Sequence, residues 1–197
     1  MGCICVGYYL TWLLYRQDIR QIGSGSAGAR NVGRILGKKG FYATLLGDVA
    51  KGASAILLAQ WIGVENGWLA ACILAVLAGH IWPIQLGFRG GKGISVMVGG
   101  LMVLDIWLLL VLFGIALLLY VGTRKYMLSG MLAIVMLPLL SYLLSGPVWE
   151  SIGMAILSLV ILISHRDNIA SLIAHKNADP EQAEKDRPDS RGGSGNG

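Results

Sequence analysis

Two cations and four glycines stand together at Gly87-Phe88-Arg89-Gly90-Gly91-Lys92-Gly93, between strongly apolar runs. Glycines let backbone N–H groups approach a ligand closely and Arg and Lys add charge, so the combination suits a phosphate held at a membrane edge. It is not a Walker A loop: Gly93 follows Lys92 where Ser or Thr is needed, and Leu86 replaces the first glycine. Snorkelling Arg and Lys side chains at a helix end would explain the cations. They would not explain the glycines around Lys92, nor His80, which reads as about two turns inside the preceding apolar span.

A second polar cluster reads Gly23-Ser24-Gly25-Ser26-Ala27-Gly28-Ala29-Arg30-Asn31-Val32-Gly33-Arg34. It contains Gly-x-Gly-x-x-Gly, but no strand precedes it and a membrane helix follows, so a dinucleotide site fails its own context. The plain alternative is a basic loop resting on anionic headgroups. Its hydroxyls, carboxamide and guanidiniums are too varied for that and look like ligand groups. A third cluster, Ser164-His165-Arg166-Asp167-Asn168-Ile169, leaves the last apolar run, where a His-Arg pair alone would read as helix-end cations. Of the 16 Lys and Arg residues, only Lys51 falls inside an apolar run, with Asp48 one turn earlier on the same helical face. A charge inside the bilayer is costly and marks function by default. An Asp–Lys pair that only joins helices is the competing reading.

The elements that must position these groups are membrane helices. The chain is 55% apolar and 14% charged, whereas soluble domains carry roughly 25% charged residues. Apolar runs cover residues 2–15, 41–63, 68–88, 94–121, 127–146 and 148–164, and a crossing needs roughly 20 residues. The run 94–121 reads either as one tilted helix or as two short ones, about 14 residues each, meeting near Leu104-Asp105. With two, every loop cation lies on one side and the other side's turns carry only Glu65, Asp105 and Glu150. The positive-inside rule then predicts an all-α polytopic protein of about seven transmembrane helices, N-terminus out and C-terminus in. All three polar clusters then emerge on the cytoplasmic side.

Residues 1–176 are expected to form a single membrane-embedded domain, and residues 177–197, rich in Pro, Gly, Ser and charge, a disordered polar tail. The start lacks the n-region of a cleavable signal peptide, and Val6 breaks the myristoylation pattern. Cys3, Cys5 and Cys72 have neither disulfide nor zinc spacing and read as packing residues. Neither a metal nor a cofactor is expected, nor a nucleic-acid partner.

Gly-Ser-Gly…Gly-Ala-x-Asn-Val-x-Arg, Asp-x-x-Lys-Gly, Gly-His-x-x-Pro…Gly-Phe-Arg-Gly-Gly-Lys-Gly and His-Arg-x-Asn-Ile, in that order over residues 18–174, together resemble the bacterial PlsY family. These are integral-membrane acyltransferases that use acyl phosphate and glycerol 3-phosphate. The resemblance implies a seven-helix fold in the bacterial inner membrane, with the active site facing the cytoplasm. It implies fatty acyl transfer from acyl phosphate to glycerol 3-phosphate, giving lysophosphatidic acid and inorganic phosphate. Matched by motif, Ser24, Gly25, Arg34 and Lys92 hold the donor headgroup, Lys51 reaches glycerol 3-phosphate, and His165 and Asn168 orient the substrates. Ser26 and Asn31 line the first loop, with His80 a further candidate for supporting it, and all three count among the substrate-binding residues.

An acyl phosphate already carries a stable anionic leaving group, so catalysis needs positioning and charge stabilisation. No Ser-His-Asp signature suggests a covalent intermediate. The proton acceptor stays open between a substrate phosphate oxygen and His165. Three departures from the family pattern stand out: Ser26 for Asn, Arg30 for Thr, and a hydroxyl displaced to Ser129. The first span is also short, which fits an N-terminally incomplete chain or a divergent member. Acyl-chain preference and oligomeric state are not legible in one sequence, and a monomer suffices. The competing function is a phospholipid-binding or small-anion transport protein that keeps the phosphate loops without the transferase step.

Overall fold

The computed structural model describes residues 1–145 and 148–170. The polar tail expected over residues 177–197 lies outside the described residues. The chain divides into two units, Met1–Ser164 and His165–Gly197. The first holds helices α1 (Val6–Tyr15), α2 (Ala29–Trp61), α3 (Asn66–Ile81), α4 (Ile94–Leu104), α5 (Ile106–Thr123), α6 (Tyr126–Ser145) and α7 (Val148–Ser164). Short 3-10 turns occupy Ile19–Gln21 and Ile84–Leu86, and there is no strand among the described residues. In the second unit residues 166–170 are helical, with the Ile169 amide donating to the His165 carbonyl at 2.9 Å.

Helix α2 starts at Ala29, well before the residue 41 that hydropathy picks out. Arg and Lys lower hydropathy yet are good helix formers, so Arg30, Asn31 and Arg34 belong to the first turns of a helix. The helix breaks once, at Gly37, whose φ of 67° and ψ of −164° suit glycine. Helix α3 stops at Ile81 rather than running through the apolar stretch, because Pro83 disfavours the α conformation at Trp82. His80 is therefore a helix-end residue and not one buried two turns inside a span.

The long run 94–121 is two helices, as its central carboxylate suggests. Asp105 is extended (φ −152°, ψ 96°) and its Oδ1 accepts from the Leu108 amide at 2.9 Å, capping α5. The halves are unequal, 11 residues in α4 and 18 in α5, not two of similar length. Helices α2, α5 and α6, and the stretch Asn66–Leu86 that continues α3 through its following turn, are long and apolar enough to cross a membrane, and α4 and α7 are shorter apolar helices.

Bare backbone joins α2 to α4. A Cβ on Gly52 would strike the Val96 carbonyl, and one on Gly99 the Val49 carbonyl. Small residues allow such close approach of membrane helices, where apolar burial alone does not drive association. Around this contact Ile56, Ile73, Leu77, Val96, Leu101 and Leu157 form the buried core.

Pro138 lies inside α6 and cannot donate to the Ile134 carbonyl. Ser158 of α7 supplies the missing donor, its Oγ 2.8 Å from that oxygen. Ser158→Ala should lower stability by about 1 kcal/mol, read as a reduced unfolding midpoint in detergent with activity retained. An unchanged midpoint would mean that the carbonyl finds another donor. At the α5–α6 turn Ser129 Oγ donates to the Lys125 carbonyl at 3.0 Å and lies 2.8 Å from Thr123 Oγ1. The displaced hydroxyl thus closes a turn.

Candidate active site

The first glycine loop is organised by one side chain. Asn31, 2% exposed, accepts from the Ser24 amide at 2.9 Å through Oδ1. Its Nδ2 donates to the carbonyls of Ile22 (2.9 Å), Ser26 (3.0 Å) and Ile19 (3.2 Å). Both amide atoms bond to backbone, so Asn31 gives the loop its shape. Ser26 does similar work, its Oγ accepting from the Gly28 amide at 3.2 Å. What the loop leaves exposed is Ser24, next to Gly25 in the left-handed region (φ 70°).

The second glycine loop is held differently from the phosphate cradle its composition suggests. The Gly90 and Gly91 amides donate to the Ile81 and His80 carbonyls, each at 3.1 Å. They satisfy the last carbonyls of α3 instead of facing a ligand. Space also selects these glycines, since a Cβ on Gly91 would overlap the His80 ring and one on Gly90 the His80 carbonyl. Lys92, half-buried, follows at the mouth of α4, and its carbonyl accepts from Ser164 Oγ at 3.0 Å. The end of α7 is thereby tied to the Lys92 turn.

Two bonds join the loops: the Ala27 amide to the Gly90 carbonyl at 3.1 Å, and Arg20 Nη1 to the Leu86 carbonyl. Arg20 is fixed in turn by Asp18, 2.6 Å from its Nη2, and lies over the Tyr8 ring at 5.1 Å. The hydrogen-bonded guanidinium holds the Asp18 carboxyl below the usual carboxylate range. In the sequence Arg20 is one of several cations between the first two apolar runs. The Asp-x-Arg spacing is the one signal that could have singled it out.

Behind the second loop sits the charged cluster of α2 and α3. Lys51 Nζ is 2.8 Å from the Ile4 carbonyl, 2.9 Å from His80 Nδ1 and 3.1 Å from Asp48 Oδ1. Nδ1 faces an ammonium, so it accepts and the ring proton sits on Nε2. Asp48 and His80 are both nearly fully buried, and the bond to Ile4 is the solvent-exposed one of the three. The pair expected from the sequence is thus a triad, completed by a residue distant in the chain.

Arg34 and Arg30 are exposed on the first turns of α2. With Gly33, Gly37, Lys38, Phe41 and Tyr42 they line an open groove of about 360 Å³. Arg30 lies over the Tyr126 ring at 4.9 Å, which gives this departure from the family pattern a packing role. The structure thus brings Ser24, Gly25, Ser26, Asn31, Lys51, His80 and Lys92 into one hydrogen-bonded region of the first unit, with Arg34 exposed on the same helix as Asn31 and Lys51. His165 and Asn168 lie in the second unit, where Arg166 Nε stands 3.6 Å from Asp167 Oδ1 on the surface.

Among the described residues the first unit is a bundle of apolar helices with four candidate membrane spans and two hydrogen-bonded glycine loops, the architecture of a membrane protein. The family model described as glycerol-3-phosphate acyltransferase matches residues 1–175, and the chain belongs to that family. It is 44% identical over 173 residues to glycerol-3-phosphate acyltransferase 1 of Desulfitobacterium hafniense, covering 88% of this chain and 86% of that protein. Glycerol-3-phosphate acyltransferase 1 of Bacillus cereus is 37% identical over 167 residues, 85% of this chain and 92% of that one. Among solved structures, PlsY, an integral membrane glycerol 3-phosphate acyltransferase, matches in its glycerol 3-phosphate form. The TM-score is 0.78 at 29% identity, over 88% of this chain and 87% of that one. The lysophosphatidic acid form matches with a TM-score of 0.76 at 28% identity, with the same coverage.

Proposed function

We propose that this protein transfers a fatty acyl group from acyl phosphate to glycerol 3-phosphate, giving lysophosphatidic acid and inorganic phosphate. The observation that carries this reading is the family match over residues 1–175. The linked loops supply the chemistry it needs. One substrate pairs a phosphate with a long apolar chain and the other is wholly polar, so a cationic site at the end of a helix bundle serves both.

In the reaction the acceptor hydroxyl attacks the donor carbonyl carbon. An ester C–O bond forms, the carbonyl C–O bond to phosphate breaks, and phosphate departs as an anion. The hydroxyl proton passes to a phosphate oxygen or to His165. Ser24, Gly25, Arg34 and Lys92 hold the donor headgroup and the phosphate it becomes, through charge stabilisation where charge develops. Lys51 reaches the acceptor phosphate by exchanging its exposed bond to Ile4 for a phosphate oxygen. Asp48 and His80 keep the ammonium aimed during that exchange. His165 and Asn168 orient the two substrates.

The same proposal places seven crossings in a bacterial inner membrane, N-terminus out, with the site facing the cytoplasm. The break at Asp105 and the clustering of loop cations at one end support it. Helix α4 is only about 16 Å long. Its buried residues Val96, Met97, Gly99, Gly100 and Leu101 face protein rather than lipid, so it need not span a full hydrocarbon layer alone.

Donor choice is the decisive test. Purified protein should release phosphate and form lysophosphatidate from acyl phosphate and glycerol 3-phosphate, with acyl-CoA at least about 100-fold poorer. Lys92→Ala should abolish turnover while leaving the unfolding midpoint near wild type. Use of acyl-CoA would overturn the donor assignment, and an active Lys92→Ala enzyme the phosphate contact. No product, with anion counterflow in proteoliposomes, would favour the transport reading.

A further inference from the structure

Helix α2 folds over at Gly37, and the fold makes a groove. In a straight helix residues 33 and 41 lie about 12 Å apart along the axis. Here a Cβ on Gly33 would come within 2.9 Å of the Phe41 Cβ, so the turn before the break rests on the turn after it. The open groove of about 360 Å³ takes Arg30 and Arg34 from the first stretch and Lys38, Phe41 and Tyr42 from the second. Its three cations and Tyr42 are exposed. Residues 19–47 contain five cations and no carboxylate, so the groove finds no acidic partner in its own segment. Arg30 is steadied instead by the Tyr126 ring, 4.9 Å away. Guanidinium and ammonium groups set around one groove suit a phosphate.

Depth in the bilayer selects which phosphate. Trp61 closes α2 and is 83% exposed, and Tyr42 is 56% exposed near the other end of the same span. About 19 residues separate them, or about 29 Å of helix, which matches a hydrocarbon core of about 30 Å. Trp and Tyr gather at the two membrane boundaries, so these rings mark one boundary each. The groove therefore opens at the headgroup layer, with its cations toward water and the Phe41 and Tyr42 rings toward the acyl chains. A soluble phosphate would use only the cations, whereas a phospholipid meets both surfaces.

We propose that this groove binds one anionic phospholipid of the surrounding bilayer, its phosphate held by Arg30 and Lys38. Arg34, assigned to the acyl donor, lies between them in the chain, so the bound lipid flanks the acyl-transfer centre. Its binding does not depend on the donor being an acyl phosphate. The test is native mass spectrometry of the full-length protein released from nanodiscs of phosphatidylglycerol and phosphatidylcholine in equal amounts. Wild type should retain one phosphatidylglycerol with about tenfold preference. Arg30→Gln and Lys38→Gln should each reduce that preference and together erase it. Lys39→Gln removes the same charge from the next position, exposed but outside the groove, and should leave the preference unaltered. Equal losses from Lys38→Gln and Lys39→Gln would reveal a general attraction to a basic surface and overturn the proposal. So would equal retention of the two lipids by wild type. Displacement of the lipid by inorganic phosphate at constant ionic strength would make the groove a soluble-anion site and overturn it too.

Discussion

Lys51→Met is expected to remove acyl transfer by more than about 100-fold and to lower stability by about 3–5 kcal/mol, because it strands a buried carboxylate. Asp48 is 1% exposed and Lys51 Nζ is its ion-pair partner at 3.1 Å. Adding Asp48→Asn removes the stranded charge and should recover most of the stability. It should not recover activity, because the cation that reaches the acceptor is still missing. Thermal unfolding in detergent and phosphate release from acyl phosphate read the two effects separately. If the double variant regained turnover, Lys51 would be a helix-joining residue and its role as an acceptor ligand would fail. The KM for glycerol 3-phosphate should carry more of the loss than the KM for the donor.

Asn31→Ala should be nearly as damaging for a different reason. One carboxamide holds the Ser24 amide and three carbonyls. Orphaning them costs about 1–3 kcal/mol for each group that water does not reach. Turnover should fall by more than about 100-fold as the Ser24 loop loses its shape, together with a lower unfolding midpoint. Asn31→Asp should be less stable than Asn31→Ala, because it keeps the acceptor for Ser24 but turns a second oxygen toward three carbonyls. Lost activity with an unchanged midpoint would instead make Asn31 a substrate ligand.

What the sequence made legible was charge placement. A lone carboxylate in a long apolar run marks a break because few helices bury one unpaired, and Asp105 does end one helix and cap the next. Lys51 and Asp48 were visible as a pair for the same reason. Less legible was direction. Nothing in Gly90-Gly91 says whether their amides face a ligand or the end of α3, and a composition suited to a phosphate cradle suits a helix cap equally. Asn31 advertises a polar side chain without saying that it points inward. His80 could not be seen as the third member of the Lys51 cluster, since its neighbour lies on another helix and Pro83 decides where α3 stops. The start of α2 was misplaced because hydropathy reports burial in lipid, whereas Arg30 and Arg34 are helical yet exposed.

The bare-backbone contacts of Gly52 with Val96 and of Gly99 with Val49 have a consequence for rigidity. Side chains that mesh can change rotamer and let two helices slide, but two bare main chains have nothing to rearrange. Helices α2 and α4 are therefore held at a fixed separation where residues 49–53 meet residues 96–100. Any shift of the first glycine loop has to come from the stretch nearer the start of α2, where the helix breaks at Gly37. The rigid and the yielding parts of α2 are thus separated along one helix.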